Sequence, residues 1–414
     1  MAEKRKDSKG RILKNGEYQK KSGQYEFRYL QGSEWKSVYS WRLVATDKTP
    51  PGKKDDAPLR EKEKGILRDL EDGINSTLAA KLQMNELFEM YLSSKKKLSD
   101  KTKRKYCQLW KLHVKENSFG TMSPAKIKKA NVQRFYAELS RGGLSDTTIR
   151  MYHNNLIQPA LVYAVDNDLI RKNPAKGCLE EYTAAKKRRA LTRKEQEVFL
   201  EYVKNSPIYC IYLPMFQIMI GTACRIGEIC GLTWSNEDMR HGEIHIRQQL
   251  IYEKIDGKMT MYMGEPKTES GKRTIGMIQQ VRKAFIEQKR ICLQLGRRSA
   301  IEVDGQRDFV FLNNWNRPYT TTGVNGILKR IVDRYNTEEK QQARKEKRKP
   351  FLLPHISNHI LRHTGCTRMA EAGIDVKVLQ VIMGHSDPAV TLKVYDHVEK
   401  ERMKKEILKM EYVV

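Results

Sequence analysis

Gly221-Thr222-Ala223-Cys224-Arg225-Ile226-Gly227-Glu228 sets a single arginine among small residues at the start of a helix. A guanidinium in that setting can fork two hydrogen bonds onto a phosphate whose backbone comes close, although a surface arginine beside a helix start is also ordinary. Three downstream stretches give it a context. In His359-Ile360-Leu361-Arg362-His363 the first histidine and the arginine stand three residues apart, so they share one helix face and can both touch one phosphodiester. Taken singly, the pair reads equally well as a capping histidine and a solvated arginine. In Met383-Gly384-His385-Ser386-Asp387-Pro388 the glycine follows an apolar stripe of Val378, Leu379, Ile382 and Met383 and stops a helix, and the Ser-Asp-Pro run starts another. His385 is thereby held on a tight turn, either against a phosphate or as a satisfied structural histidine. Val394-Tyr395-Asp396-His397 supplies a phenol, whose pKa of about 10 makes it a weak nucleophile unless a positive setting and a base activate it.

Upstream of these stretches, Thr192-Arg193-Lys194-Glu195 is a capping box that opens a domain running from residue 191 to 398. Helices in this domain are interrupted by a strand-like interval from Glu243 to Ile275 with Asp256-Gly257 as a hairpin turn, and Lys340 to Lys349 reads as an exposed helix end or loop. Before it, Asn173-Pro174-Ala175-Lys176-Gly177 and Lys186-Lys187-Arg188-Arg189 mark a basic linker over 177–190. Residues 79–176 carry helical spacing, as in Leu87, Phe88, Tyr91 and Leu92, with Asp100, Ser123 and Asp146 as candidate caps. Residues 1–78 begin with strand alternation, Tyr25, Phe27 and Tyr29 on one face and Trp35, Tyr39 and Trp41 at even spacing, with turns at Asn15-Gly16, Ser22-Gly23 and Gly32-Ser33. A helix over Leu59 to Ile74 follows, with Leu67, Leu70 and Ile74 as its stripe. The expected fold is therefore multidomain and mainly α with small β-sheets: an N-terminal sheet plus helix, a helical domain, a mixed α/β domain, and a tail over 399–414.

Charge narrows the function. Lys and Arg number 78 against 50 Asp and Glu in 414 residues, a formal charge of +28, which calls for a polyanion. No stretch approaches the roughly 20 apolar residues that span a bilayer, and the basic N-terminus has no apolar segment behind it to form a secretory signal. No membrane partner is expected, then, and nucleic acid is. The seven cysteines show no zinc-like spacing and read as idle thiols of a reducing cytoplasm. The run Lys95, Lys96, Lys97, Lys101, Lys103, Arg104 and Lys105 is a solvated face by default; beside this net charge, Lys101, Lys103 and Arg104 become candidate phosphate contacts. Arg28 and Lys36 are candidates on the N-terminal sheet.

The order Arg225, His359, Arg362, His385, Tyr395, with the wording of the boxes around them, resembles the tyrosine recombinase (lambda-integrase-type) family over roughly residues 80 to 400. The N-terminal aromatic sheet is similar to the arm-site DNA-binding domain of integrases of bacterial conjugative transposons. The resemblance implies a helical core-binding domain, a catalytic domain, and a catalytic lysine on a hairpin. Glu265-Pro266-Lys267-Thr268-Glu269-Ser270-Gly271-Lys272-Arg273 fits the family's Lys-Thr-x-x-x-x-Arg setting, making Lys267 the candidate and Lys272 a poorer one. His385 stands where some members carry tryptophan, and Glu228 reads as orienting its helix.

The implied chemistry is attack by Tyr395 on the scissile phosphate to give a 3′-phosphotyrosine, with Arg225 and Arg362 on the non-bridging oxygens. Lys267 protonates the 5′ oxygen, and His359 and His385 assist. Neither metal nor ATP nor any other cofactor is implied. Double-stranded DNA is the implied partner, at core sites and at separate arm sites, to integrate and excise a mobile element in a bacterial cytoplasm. The family further implies a homotetramer on two DNA sites and an accessory excision protein. Glu399 to Met410 reads as an amphipathic helix with Met403, Ile407 and Met410 on one face, a stripe that either folds back on its own catalytic domain or docks on a neighbouring protomer; the family resemblance implies the second. The competing readings are a non-catalytic DNA-binding protein of this fold, which would not need the full residue set, and a type IB topoisomerase, which has little need of a separate N-terminal sheet.

Overall fold

The computed structural model describes residues 5–31, 34–183, 189–255, 257–266, 269–384, 387–388 and 391–392. The chain divides into two compact units, Met1–Lys186 and Lys187–Val414.

The first unit opens with an antiparallel sheet of β1 (Glu17–Gln19), β2 (Tyr25–Gln31) and β3 (Glu34–Ser40), in that order. Gly23, at φ +83°, makes the β1–β2 turn. Tyr25 and Phe27 pack with Leu43 and with Leu59 of α1 (Leu59–Glu71) as a small core. The helix ends at Glu71, before the expected Ile74, because the chain turns through Asp72 and a left-handed Gly73. Its buried face is also rotated from expectation: Leu59 and Glu63 are buried while Leu67 is exposed. A glutamate holds that inward position because it meets Glu17, Arg60 and Lys14 there.

Seven helices follow: α2 (Ser76–Lys81), α3 (Met84–Ser94), α4 (Asp100–His113), α5 (Ser118–Thr121), α6 (Lys129–Arg141), α7 (Asp146–Tyr152) and α8 (Gln158–Asp166), with a π-helical turn at His153–Ile157. Their core is aromatic, with Phe88 stacked on Trp110 at 3.9 Å and Phe119 on Phe135 at 4.8 Å. Two caps fall one residue earlier than expected. The Ser99 and Ser145 hydroxyls accept from Thr102 and Thr148 N–H, so Asp100 and Asp146 become first-turn residues whose charge meets the positive helix end. Ser123 precedes a short 3-10 turn without a side-chain cap, its hydroxyl donating to the Ala79 carbonyl instead. The segment expected to begin a linker at 177 stays folded: Cys178 is buried, Tyr182 packs edge-on against Tyr136, and Thr183 donates twice to Asp146. Residues 184–188 of that span lie outside the described residues.

The second unit contains α9 (Arg193–Asn205), α10 (Leu213–Thr222), α11 (Ile226–Cys230), β4 (Glu237–Asp238), β5 (Glu243–Ile246), β6 (Gln249–Ile255), β7 (Lys258–Gly264), β8 (Arg273–Gly276), α12 (Gln279–Gln294), α13 (Thr321–Lys345), α14 (Asn358–Glu371) and α15 (Val376–Met383). Strands β4, β5 and β8 form one sheet and β6 pairs with β7 as a hairpin. The Thr192–Glu195 capping box forms as read, with Glu195 N–H donating to Thr192 Oγ1 at 3.1 Å and Thr192 N–H to Glu195 Oε2 at 2.8 Å. Phe199, Phe216, Phe285, Phe309 and Phe311 are sealed in the core, each stabilising the unit by roughly 1.5–3 kcal/mol. The apolar α10 lies at the centre, between α12 and α14. Gly365 of α14 makes that crossing close, since a methyl group there would run into the Ile220 carbonyl.

Candidate active site

The close crossing of α10 and α14 fixes where the first arginine emerges. Helix α10 stops at Ala223, which adopts φ 50° although it is not glycine, a conformation costing about 1–2 kcal/mol. The turn aims the Ala223 carbonyl at Arg362 Nη1, 2.6 Å away, and delivers Arg225 to the N-cap of α11. Glu228, one turn later, accepts the Arg225 N–H at 2.8 Å and Arg225 Nη1 at 2.9 Å. That carboxylate orients the arginine as well as the helix.

The C-terminal end of α15 gathers three arginines. The last carbonyls of a helix lack intrahelical partners and form its negative pole. Here Arg273 Nε takes the Ile382 carbonyl at 2.6 Å, Arg362 Nη2 takes Met383 at 2.6 Å, and Arg225 Nη2 takes Gly384 at 2.7 Å. Gly384 caps the helix at φ 61°, as its sequence position predicts. A Cβ on it would lie 3.2 Å from Nη1 of both Arg225 and Arg273. Leu379 and Met383 anchor the helix from below, against Ala223, Cys366 and Ala370.

The electrostatics follow from this packing. Burial, then repulsion from Arg225, brings the Arg362 guanidinium down to about 10. Burial would raise the Glu228 carboxyl, but the hydrogen bonds and charge of Arg273, with Arg225 behind them, hold it below the ordinary carboxylate range. Burial lifts the Cys224 thiol to about 11, so it is neutral packing.

Arg225, His359 and Arg362 line one cleft of about 770 Å³. His359 is exposed at its rim and meets His363 edge-on, ring centroids 4.7 Å apart. Among the other lining residues, the sequence reading missed Asn325 and Lys329 of α13, and His355 from the segment before α14. Their residue types were the only available signal. Lys267, His385 and Tyr395 lie outside the described residues, as does the tail 399–414. Lys272, the poorer lysine, pairs with Glu265 at 3.2 Å.

On the first unit, Lys101 and Arg104 are exposed along α4 and Lys103 is half-buried. The sheet register separates the other two candidates. Arg28 pairs with Ser37 and Lys36 with Tyr29, so Arg28 and Lys36 project from opposite faces. Arg28 lies over Trp35 at 5.0 Å, whereas Lys36 Nζ donates to Gln31. Among the described residues no three His, Cys, Asp or Glu side chains form a metal-holding group, and no helix is long and apolar enough to cross a membrane.

Comparison with known proteins accounts for each part. The phage integrase family matches residues 189–402, the N-terminal SAM-like domain of phage integrases matches 86–153, and the DNA-binding domain of the Tn916 integrase matches 1–70. The transposase from transposon Tn916 of Enterococcus faecalis is 35% identical over 96% of this chain and 94% of its own. A XerC-like tyrosine recombinase of Caldanaerobacter subterraneus subsp. tengcongensis is 25% identical over 84% of this chain and 86% of its own. The Tn1549 transposon integrase, solved with a circular intermediate DNA, superposes with a TM-score of 0.68 at 27% identity, covering 80% of this chain and all of that one. The chain belongs to the phage integrase family and is a site-specific tyrosine recombinase.

Proposed function

We propose that this recombinase cuts and rejoins double-stranded DNA through a 3′-phosphotyrosine on Tyr395, integrating and excising a mobile element. The observation that carries the reading is the convergence of Arg225, His359 and Arg362 on one cleft, with both guanidiniums fixed by carbonyls at the end of α15. In the proposed step the Tyr395 oxygen bonds to phosphorus and the bond to the 5′ oxygen breaks. Arg225 and Arg362 neutralise the non-bridging oxygens where charge builds, a donor role typically worth about 10²–10³ in rate. Lys267 gives its proton to the departing 5′ oxygen. His359 assists the tyrosine or the phosphate, the tyrosine proton passing to this imidazole or to solvent, and His385 completes the charge clamp. A 5′ hydroxyl from a second DNA reverses the step and joins strands, so no ATP is consumed.

The parts of the chain divide the DNA between them in this reading. Residues 79–176, with Lys101, Lys103 and Arg104, and the catalytic domain 191–398 bind the core site. The sheet of residues 1–78 binds a separate arm site through the face that carries Arg28 and Trp35. Four protomers assemble on two DNA sites, the 399–414 tail of each docking on the next, with an accessory excision protein setting direction. The setting is a bacterial cytoplasm.

The test uses nicked duplexes selected from a randomised pool. The full chain is expected to form a covalent adduct in the presence of a chelator and to exchange strands between two duplexes. Tyr395→Phe is expected to bind the same DNA without forming the adduct. Binding without any adduct from the wild-type chain would leave only a DNA-binding protein.

A further inference from the structure

Arg273 opens β8 and ends the hairpin motif, yet it lies outside the cleft lining and no catalytic part falls to it. Its side chain is 2% exposed. Every nitrogen is engaged. Nε donates to the Ile382 carbonyl at 2.6 Å; Nη1 donates to Glu228 Oε1 and to the Gly271 carbonyl, both at 3.0 Å; Nη2 donates to Glu228 Oε2 at 2.8 Å and approaches Cys224 Sγ at 3.7 Å.

A buried arginine–carboxylate fork is a poor device for stability alone, because apolar residues of the same volume often serve as well. What it provides is direction. Glu228 is the group that also holds Arg225, through the backbone N–H and Nη1. With Arg273 covering both carboxylate oxygens, Arg225 keeps one nitrogen on Glu228 and sends Nη2 to Gly384. Without Arg273, the Glu228 carboxylate would be left with Arg225 as its only guanidinium. The attraction would draw Arg225 into the two-pronged geometry that guanidinium–carboxylate pairs favour, turning it away from the cleft. The Ile382 carbonyl would be released at the same time, and with it the neighbouring carbonyls that hold Arg362 and Arg225.

We propose that Arg273 is a positioning residue for the cleavage reaction: it saturates Glu228 and pins the end of α15, so that Arg225 and Arg362 stay aimed at the scissile phosphate. The proposal rests on the reading of that cleft as the phosphate site.

The test compares full-length wild type and Arg273→Met on two nicked suicide duplexes. One carries the natural scissile phosphodiester and the other a methylphosphonate there, whose neutral phosphorus removes the charge that the arginines must meet. On the natural substrate Arg273→Met is expected to form adduct on the order of 100-fold more slowly, with an unchanged half-saturating DNA concentration. On the methylphosphonate diastereomer whose methyl group replaces the oxygen facing Arg225, the two proteins are expected to react at similar rates. A folded Arg273→Met that is equally slow on the natural substrate and on both diastereomers, or that matches wild type on all of them, overturns the proposal. If Arg273→Met does not melt cooperatively, Arg273→Lys is read in the same way, since lysine keeps the charge but lacks the fork. Wild type forming no adduct on the natural substrate would overturn the phosphate-site reading first, and the proposal with it.

Discussion

Two buried clusters of arginine and glutamate, one in each unit, use the same chemistry in opposite proportions. In the catalytic unit a single carboxylate, Glu228, lies between two guanidiniums, Arg225 and Arg273. In the N-terminal sheet domain two carboxylates crowd one guanidinium: Arg60 forks onto Glu17 at 2.9 and 3.1 Å, and Glu63 lies beside them with the Lys14 ammonium 3.9 Å away. The consequences diverge. Glu228 is held below the ordinary range against the pull of burial. Glu63 is pushed up to about 7 by burial and by its Glu17 neighbour, while Arg60 keeps Glu17 low despite burial. The cleft proposed to receive a phosphate is built with cations in surplus, and its one buried carboxylate, Glu228, stays ionised across neutral pH. A core whose duty is to support a sheet tolerates one carboxyl too many, and that carboxyl titrates.

The comparison breaks most readily at Glu228. Glu228→Gln leaves Arg273 buried with no counter-charge, so unfolding free energy is expected to fall by about 3–5 kcal/mol in a denaturant titration, together with loss of adduct formation. A loss below about 1 kcal/mol would mean that the surplus of cations is not what the carboxylate balances. Gly384→Ala probes the same cluster from the carbonyl side. Its left-handed backbone and the two arginine nitrogens 3.2 Å from a new Cβ predict a loss of about 1–2 kcal/mol and a fall in cleavage rate on the order of tenfold, with DNA binding retained. Unchanged cleavage kinetics would show that Arg225 does not depend on the end of α15.

The smallest effect belongs to Glu63. Its folded value of about 7 lies above the unfolded value of 4.5, so its contribution to stability is complete below about pH 4.5 and is lost as pH rises through 7. Glu17 is shifted the other way, and its contribution disappears only as pH falls below 4.5. Glu63→Gln, which mimics the protonated acid, is therefore expected to stabilise the sheet by about 1 kcal/mol above pH 7 and to flatten the slope between pH 5 and 7. Hydrogen exchange of the Phe27 amide in the full chain reads this directly. A slope that persists in the variant would assign the titration to another group.

Much of this was legible before the fold was known. The three-residue spacing of His359 and Arg362 forces a shared face, and Gly384 after an apolar stripe forces a helix stop; the structure contains both features. The role of Arg273 was not legible, because it arises from a partner, Glu228, 45 positions away in the chain. Helix α1 misled for a related reason: a leucine at position 67 reads as core, yet the inward position belongs to Glu63, which meets Glu17 of β1 and Lys14 just before that strand, both far off in the sequence, beside Arg60 of its own helix. The caps at Ser99 and Ser145 were ambiguous since serine and aspartate both cap well, and only geometry decides which of two adjacent residues takes the N-cap. Arg28 and Lys36 looked interchangeable until the strand register put them on opposite faces.

The central claim is that the cleft formed by Arg225, His359 and Arg362 serves a tyrosine nucleophile at position 395. The most direct measurement traps the full-length wild-type protein on nicked duplexes from a randomised pool, digests the covalent product, and maps the nucleotide-bearing peptide by mass spectrometry. The expected product is a single peptide in which Tyr395 carries a 3′-phosphate. Attachment at any other residue, or through a 5′-phosphate, would contradict the account.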